Sequence, residues 1–526
     1  MTGSMMHQRF SSAVLAALLW FAAACGHAAD VLDLSGTWQF ALDREDQGVA
    51  RGWHRGALPD RITLPGILNA QGYGDEISTQ TPWVLSLYDK NWHLRDQYSK
   101  HAQPGKVKVP FLAQPQRHYL GAAWYGREVV VPPAWHGKRV VLFLERPRWG
   151  STVWVDGREV GGSRSLVAEH TVDLGLLTPG RHRISVRVDN RMLMDYRPDS
   201  HSISDSQGMS WNGIVGKLEL RATTPVYIDD AQVFPRVSDR SALVRLRIGN
   251  AGGKAGTGTV TAKGQRIPVR WRADGGELEF RVQYPKNAKT WDEWSPALHK
   301  LDLRLQGTGA DDARRLRFGF VEIKAVGKEI LVNGRPAFFR GTHDGGGFPL
   351  TGYPPTDVAS WKKIFEINKA WGINHVRFHS YNPPEAAFAA ADEVGIYLQA
   401  EPGMWNAVSP GTQGQLESRL RQVDRALPRA GPAAPVHQRH RPYRAGGAGT
   451  RQGDRFPRRP AHRPEALAQQ GRLVRPRLRS LTRGHRCTRD HPRNRPVDRL
   501  PRFQGHRQVH RLPASRELRD LPRLRA

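Results

Sequence analysis

The sequence predicts a multidomain chain, mainly β and then α/β: a jelly-roll-like β-sandwich, an immunoglobulin-like β-sandwich, an incomplete (β/α)8 TIM barrel and an arginine-rich, disordered tail. Three observations carry that prediction. Between Val31 and Ile323 apolar and polar residues alternate in short runs broken by Gly, Pro and Asp-Gly, the pattern of half-buried strands. From Ile330 to Trp405 the period lengthens, and two helical segments each pass through a glycine into a short apolar run. From Arg425 to Ala526 the composition shifts again, to 27 Arg, no Lys and six acidic residues in 102 positions.

A chain of 526 residues has room for three or four domains. Its net charge of +30 suggests a nucleic-acid binder until it is located. Most of it lies in the tail, so no nucleic-acid partner is expected for the folded part. Residues 1–29 read as a secretory signal: Arg9 supplies a positive start, Phe10–Ala24 an apolar stretch too short to span a bilayer, and Gly26-His27-Ala28 or His27-Ala28-Ala29 a small-residue cleavage site. The expected location is periplasmic or secreted. Cys25, after three alanines, forms an imperfect lipobox that leaves a lipid anchor open. With Cys25 and Cys487 as the only cysteines, the mature body has neither a disulfide nor a thiolate metal site. No metal and no cofactor are expected.

Residues 30–223 form the first predicted sandwich. Its strand-like runs are VLDLSGTWQFALD, AAWYGREVVVP, KRVVLFLERP, STVWVDGREVG, RHRISVRVDNR and WNGIVGKLELRA, with Asp156-Gly157 as a hairpin signal. An aromatic-rich insertion, Pro82–Tyr98, interrupts it. Residues 224–324 form the second, from VYIDDAQVFPRV, ALVRLRIGN, GTVTAK, GELEFRVQY, HKLDLRLQG and RLRFGFVEI. About a hundred residues of such alternation suit an immunoglobulin-like sandwich held by apolar packing alone. No G-x-G-x-x-G or G-K-[ST] loop stands between a strand and a helix, so the glycine-rich turns are loops and not phosphate cradles.

Residues 325–422 read as the start of the barrel. Trp361, Ile364, Phe365, Asn368 and Trp371 repeat at helical spacing, as do Ala386, Ala387, Ala390, Ala391 and Val394. Gly372 and Gly395 stand where a helix end wants positive φ. The runs Asn374–Phe378 and Gly395–Gln399 read as buried parallel strands. Polar residues gather at the expected strand C-termini: Arg340 and His343, Arg377 and His379, then Glu401. That end of a barrel is where chemistry is placed.

The pieces LSGTWQFALD, AAWYGREVVVP, VWVDGREVG, WNGIVG, RFGFVEI, VNGRPAFFRGTHD and GINHVRFHSYNPPEAAFAAADEVGIYLQAE, in that order over roughly residues 32–415, resemble glycoside hydrolase family 2. This is the β-galactosidase, β-glucuronidase and β-mannosidase group. The resemblance implies a galactose-binding-like first sandwich and a retaining hydrolysis of terminal β-linked sugars, with a carbohydrate as partner. It assigns substrate contact to Arg377, His379, Glu401, His343, Asp344 and Trp405. Asp205 and Trp211 are implied to reach the pocket from the first sandwich. The aromatic-rich insertion Pro82–Tyr98 is expected, from its composition, to limit the pocket to chain ends.

A retaining glycosidase needs two carboxyl groups about 5–5.5 Å apart. In the family both are Glu on later barrel strands, the first closing an Asn-Glu motif. Here the pattern stops at Pro428 and no Asn-Glu follows, so this chain is expected to lack both catalytic groups. The tail, residues 423–526, is too polar to offset its ordering entropy. Its abundance of Arg, Pro, Ala, Gly and His is what out-of-frame translation of a GC-rich gene produces, and that is the expectation. Two other function classes stay open. A non-catalytic carbohydrate-binding protein would bind sugars through the sandwiches without hydrolysis. A polyanion binder acting through the tail would show steep salt dependence that vanishes when the tail is removed.

Overall fold

A computed structural model describes residues 30–401, apart from 86–88, 167, 194–200 and 208–210. The signal segment, Trp405 and the tail lie outside the described residues. No helix among the described residues is long and apolar enough to cross a membrane.

The first body is two antiparallel sheets face to face. One runs Val31–Asp33, Gly213–Thr223, Arg139–Arg148, His170–Gly175, with Gly66–Ile67 also pairing the Gly213–Thr223 strand. The other runs Arg158–Ser163, Gly150–Val155, Gly180–Asp189, Ala122–Val131, Gly36–Asp43, Asp60–Leu64. Alternate residues of both meet in one core that includes Trp38, Phe40, Tyr125, Leu142, Val186 and Leu220, all at most 1% exposed. The Asp156-Gly157 signal holds: both residues have positive φ, 50° and 79°, and Arg158 pairs back onto Val155.

In the second body, three strands (Val226–Arg236, Ser241–Asn250, Gly276–Gln283) face four (Gln265–Trp271, Gly256–Ala262, His299–Gly307, Ala310–Phe318) across a common core. The two sets touch edge to edge through one parallel pairing, Val226 with Ala310. The last strand begins five residues earlier than RLRFGFVEI suggested. Gln265–Trp271 was missing from the sequence reading because Pro268 sits inside it. The strand lies at the sheet's edge, the place where a residue without an N–H is tolerated.

After a small antiparallel sheet (Ile323–Val326, Glu329–Val332, Arg335–Pro336), the chain becomes α/β. Three parallel strands follow in order, Gly341–Asp344, His375–Phe378 and Tyr397–Ala400. The crossovers carry helix α1, Val358–Ala370, and helix α2, Glu385–Val394. Asp357 caps α1 by accepting from the Ser360 N–H at 2.8 Å. Gly395 closes α2 at φ 83°. The α2 face read from the sequence is buried in full, and in α1 Trp361 and Phe365 are fully buried against Phe378.

Two expectations fail here. Trp371 is 82% exposed, because α1 ends at Ala370 and the helical period no longer aims it at the core. The Asn374–Phe378 run is also not buried on both faces, whereas Gly395–Gln399 is buried apart from Gln399. Val376 and Phe378 pack toward the helices, whereas His375 and Arg377, on the other face, are only partly covered and His343 is exposed.

Candidate functional site

The parallel register sets the site. His343 pairs with Arg377 and Arg377 with Gln399, so the three share the face turned away from the helices. Asp344, Phe378 and Ala400 share the other. One residue past the second strand, His379 donates its N–H to the Asp344 carbonyl at 2.8 Å, which extends the pairing to the rim.

Arg377 donates from Nε to Glu401 Oε1 at 2.6 Å. The second oxygen of Glu401 accepts the Ser380 N–H at 2.8 Å. Ser380 is buried with φ at 54°, a left-handed conformation that costs free energy for a residue with a Cβ. Glu401 and the Ser202 N–H, which reaches the Ser380 carbonyl at 3.3 Å, hold that turn from two sides. Asp344 accepts the Gly346 N–H at 2.7 Å and faces the buried Tyr381 hydroxyl. Burial pushes the Asp344 carboxyl above the usual range, and burial with the nearby carboxylate pushes Tyr381 well up.

Three imidazoles meet at this rim. His379 lies 4.4 Å from His201 and 4.8 Å from His343, ring centre to ring centre, and His201 is 6.1 Å from His343. His201 belongs to the first sandwich and is 8% exposed. Burial, and then the His379 and His343 rings, push its pKa down to about 4. Among the described residues no group of three or more His, Cys, Asp or Glu is arranged to hold a metal ion. The rim is thus a set of donors and imidazoles around one guanidinium, suited to ring hydroxyls or carboxylates of a polar ligand.

The structure therefore brings Arg377, His379, Glu401 and His343 together, with Asp344 bound into the turn behind them. Arg340 is a correction. It precedes the first strand, at the opposite end, where it pairs with Glu293 at 3.1 Å and donates its N–H to Asn374 at 2.8 Å. Asp205 is 3% exposed and accepts the Val84 N–H, which ties the Pro82–Tyr98 insertion to the loop carrying His201. Trp211 lies under Arg148, 4.9 Å from ring centre to guanidinium carbon, behind the rim. His201 was missed: it sits in a loop with no periodicity, 142 positions before its neighbour His343, and no local signal marks it.

No protein-family model matches the chain. It is 22% identical over 395 residues to a β-glucuronidase of Paenibacillus borealis, covering 71% of this chain and 59% of that protein. It is also 22% identical over 405 residues to a β-galactosidase large subunit of Latilactobacillus sakei, covering 73% and 61%. Among solved structures, a GH2 β-galacturonidase from Eisenbergiella tayi bound to galacturonate superposes with TM-score 0.55 at 20% identity, covering 77% of this chain and 64% of that one. A Bacteroides uniformis β-glucuronidase does so with TM-score 0.57 at 18% identity, covering 76% and 46%. Sandwiches leading into a parallel β/α sheet are the fold of these solved structures, and the curated relatives are a β-glucuronidase and a β-galactosidase. The chain shares its fold with solved structures of glycoside hydrolase family 2. The chain spans about six tenths of the length of these curated relatives.

Proposed function

We propose that this chain carries the sugar-contacting part of a family 2 exo-β-glycosidase and not its catalytic pair. In this reading residues 30–223 are the galactose-binding-like sandwich and 224–324 an immunoglobulin-like one. Residues 325–422 are the first units of a (β/α)8 barrel, and 423–526 an out-of-frame tail. The parent activity is retaining hydrolysis of a terminal β-linked sugar in the periplasm or outside the cell. One observation carries the proposal: Arg377, Glu401, His343 and His379 converge at the C-terminal end of the parallel strands, the end at which barrel enzymes bind substrate. His201 joins them, and the Pro82–Tyr98 insertion is tied to the same loop, a placement that supports a pocket restricted to chain ends. Trp405 is proposed to stack on a sugar face.

Glu401 is occupied by Arg377 and Ser380, and Asp344 by Gly346, so each carboxyl at the rim is engaged in positioning. A retaining mechanism needs two more carboxyl groups, about 5–5.5 Å apart. The expected result with the purified chain on a panel of chromogenic β-glycosides is binding without turnover. Strong turnover of any member would overturn the absence of the pair, and loss of binding in Arg377→Ala would support the assigned pocket.

A further inference from the structure

Helix α1 is apolar on more than its core face. Trp361 and Phe365 are fully buried against the sheet, and Lys362 reaches Glu393 of α2 at 3.2 Å. Ile367 and Trp371 lie about 140° and 180° round the helix from Lys362, on the flank turned away from α2. They are 51% and 82% exposed.

Two more large apolar side chains stand beside that flank. The Arg340 guanidinium donates from Nε to the Gly372 carbonyl at 2.5 Å, from one terminal nitrogen to the Phe338 carbonyl at 3.3 Å, and from the other to the Glu293 carboxylate at 3.1 Å. Each acceptor belongs to, or directly adjoins, a residue with an exposed ring: Trp371 before Gly372, Phe338 itself at 77%, and Trp294 after Glu293 at 79%. One guanidinium therefore gathers three exposed aromatic residues at the N-terminal ends of the parallel strands. At roughly 150–250 Å2 per aromatic side chain, they present roughly 350–600 Å2. That matches the largest apolar patch of a typical monomer, about 300–600 Å2, and is roughly half to three quarters of the ~800 Å2 each partner brings to a stable interface.

The surroundings select the occupant. The polar groups beside the rings are engaged with one another: Glu293 takes Arg340 and Asn374, and Lys369 bonds the Glu293 and Val394 carbonyls. A stacked sugar would find little here for its hydroxyls, whereas an apolar surface needs no such partners. Glu401, the last described residue, follows the C-terminal end of the third strand, so the segment after it starts at the far end of the sheet. Up α1 the exposed stripe continues through Glu366 and Lys363, one acid and one base. A two-fold axis through the patch turns each toward the other's counterpart, so the edge of the patch is complementary to itself.

We propose that Trp294, Phe338, Ile367 and Trp371 form an isologous contact with a second copy of this chain, the rings at its apolar centre and Lys363 and Glu366 at its charged edge. The proposal does not depend on the glycosidase reading. Because the contact lies at the opposite ends of the strands, the rim around Arg377 stays open in the dimer.

The test is sedimentation velocity of the full chain over a concentration series, with Trp371→Glu, Trp294→Glu and Phe338→Ser. All three side chains are mostly exposed, so the variants are expected to melt with the wild-type monomer, and any one that folds carries the test. The expected result is a wild-type dimer at micromolar concentration, with a dissociation constant raised tenfold or more by each substitution. A dimer that the three variants leave unchanged would overturn the contact. So would a wild-type chain that stays monomeric, whether its own distal segment covers the rings or insoluble polysaccharide retains it through Trp371.

Discussion

The first sandwich and the parallel β/α sheet solve burial in opposite ways. In the sandwich each sheet supplies the other's cover, and the inner residues of ten and more strands meet in one core. The parallel sheet has three strands and two helices; Trp361, Phe365 and the alanines of α2 cover one side, and on the other Tyr397 is buried against Trp291 and Phe339 at the strand starts. Farther along, that side presents His343, Arg377 and Gln399. The closed body holds stability, and the open face holds binding groups. The α/β part is secured instead by clips to its neighbours. Trp291 of the second body donates its indole N–H to the Asp392 carbonyl of α2 at 2.7 Å, and Lys369 of α1 bonds the Glu293 and Val394 carbonyls.

The sharpest way to break the comparison is to open a cavity in each region. Trp38→Ala should cost about 3–5 kcal/mol and unfold the first sandwich at markedly lower denaturant. Trp361→Ala removes a side chain of the same size, but should loosen only residues 325–401. Hydrogen exchange should show that segment unprotected while the sandwich amides stay slow.

Next in size is the clip at the strand N-termini. Glu293 is 8% exposed and accepts Asn374 Nδ2 on both oxygens, at 3.0 and 2.9 Å, besides pairing with Arg340. Glu293→Ala strands these donors and should cost about 1–3 kcal/mol in denaturant titration. It is expected to leave the rim's hydrogen bonds in place.

Acid should act on the rim and on the sandwich core alike. His201 is neutral in the folded chain because its pKa is pushed down to about 4, while in the unfolded chain it protonates near its ordinary value of ~6.5. Between those values the unfolded state binds more protons, so stability falls as pH drops. The facing groups are His343, His379, Glu401 and Arg377, and Glu401 partly offsets the effect. His170, buried in the sandwich and also near 4, adds the same trend, and Asp344, raised by burial, opposes it. Melting at pH 7 and pH 5 should show the loss. His201→Gln should flatten part of it without removing the contribution of His170.

The smallest effect on stability is expected from Arg377→Lys. The pair with Glu401 is 40% exposed on the arginine side, and such pairs are worth about 0–1 kcal/mol. Sugar binding, measured by calorimetry, should still fall severalfold because the forked donor is lost.

The residues at the ends of the parallel strands were legible in the sequence because βα periodicity fixes where a strand stops. The same logic misplaced Arg340, since a residue just before a strand and one just after it look alike until the pairing is known. Trp371 fitted the helical period but fell one residue beyond the helix. Pro268 hid a strand because its place at a sheet edge is a property of strand order.

By itself the sequence determined the order of bodies, the hairpin at Asp156-Gly157, the glycine-capped helices and the polar ends of the parallel strands. All of these are local, set by alternation, helical period or positive φ over a few residues. Only the tertiary structure decided that His201 stands among His343 and His379 and that Asp205 braces the insertion. Those contacts join residues more than a hundred positions apart, and they form only once distant parts of the chain pack together.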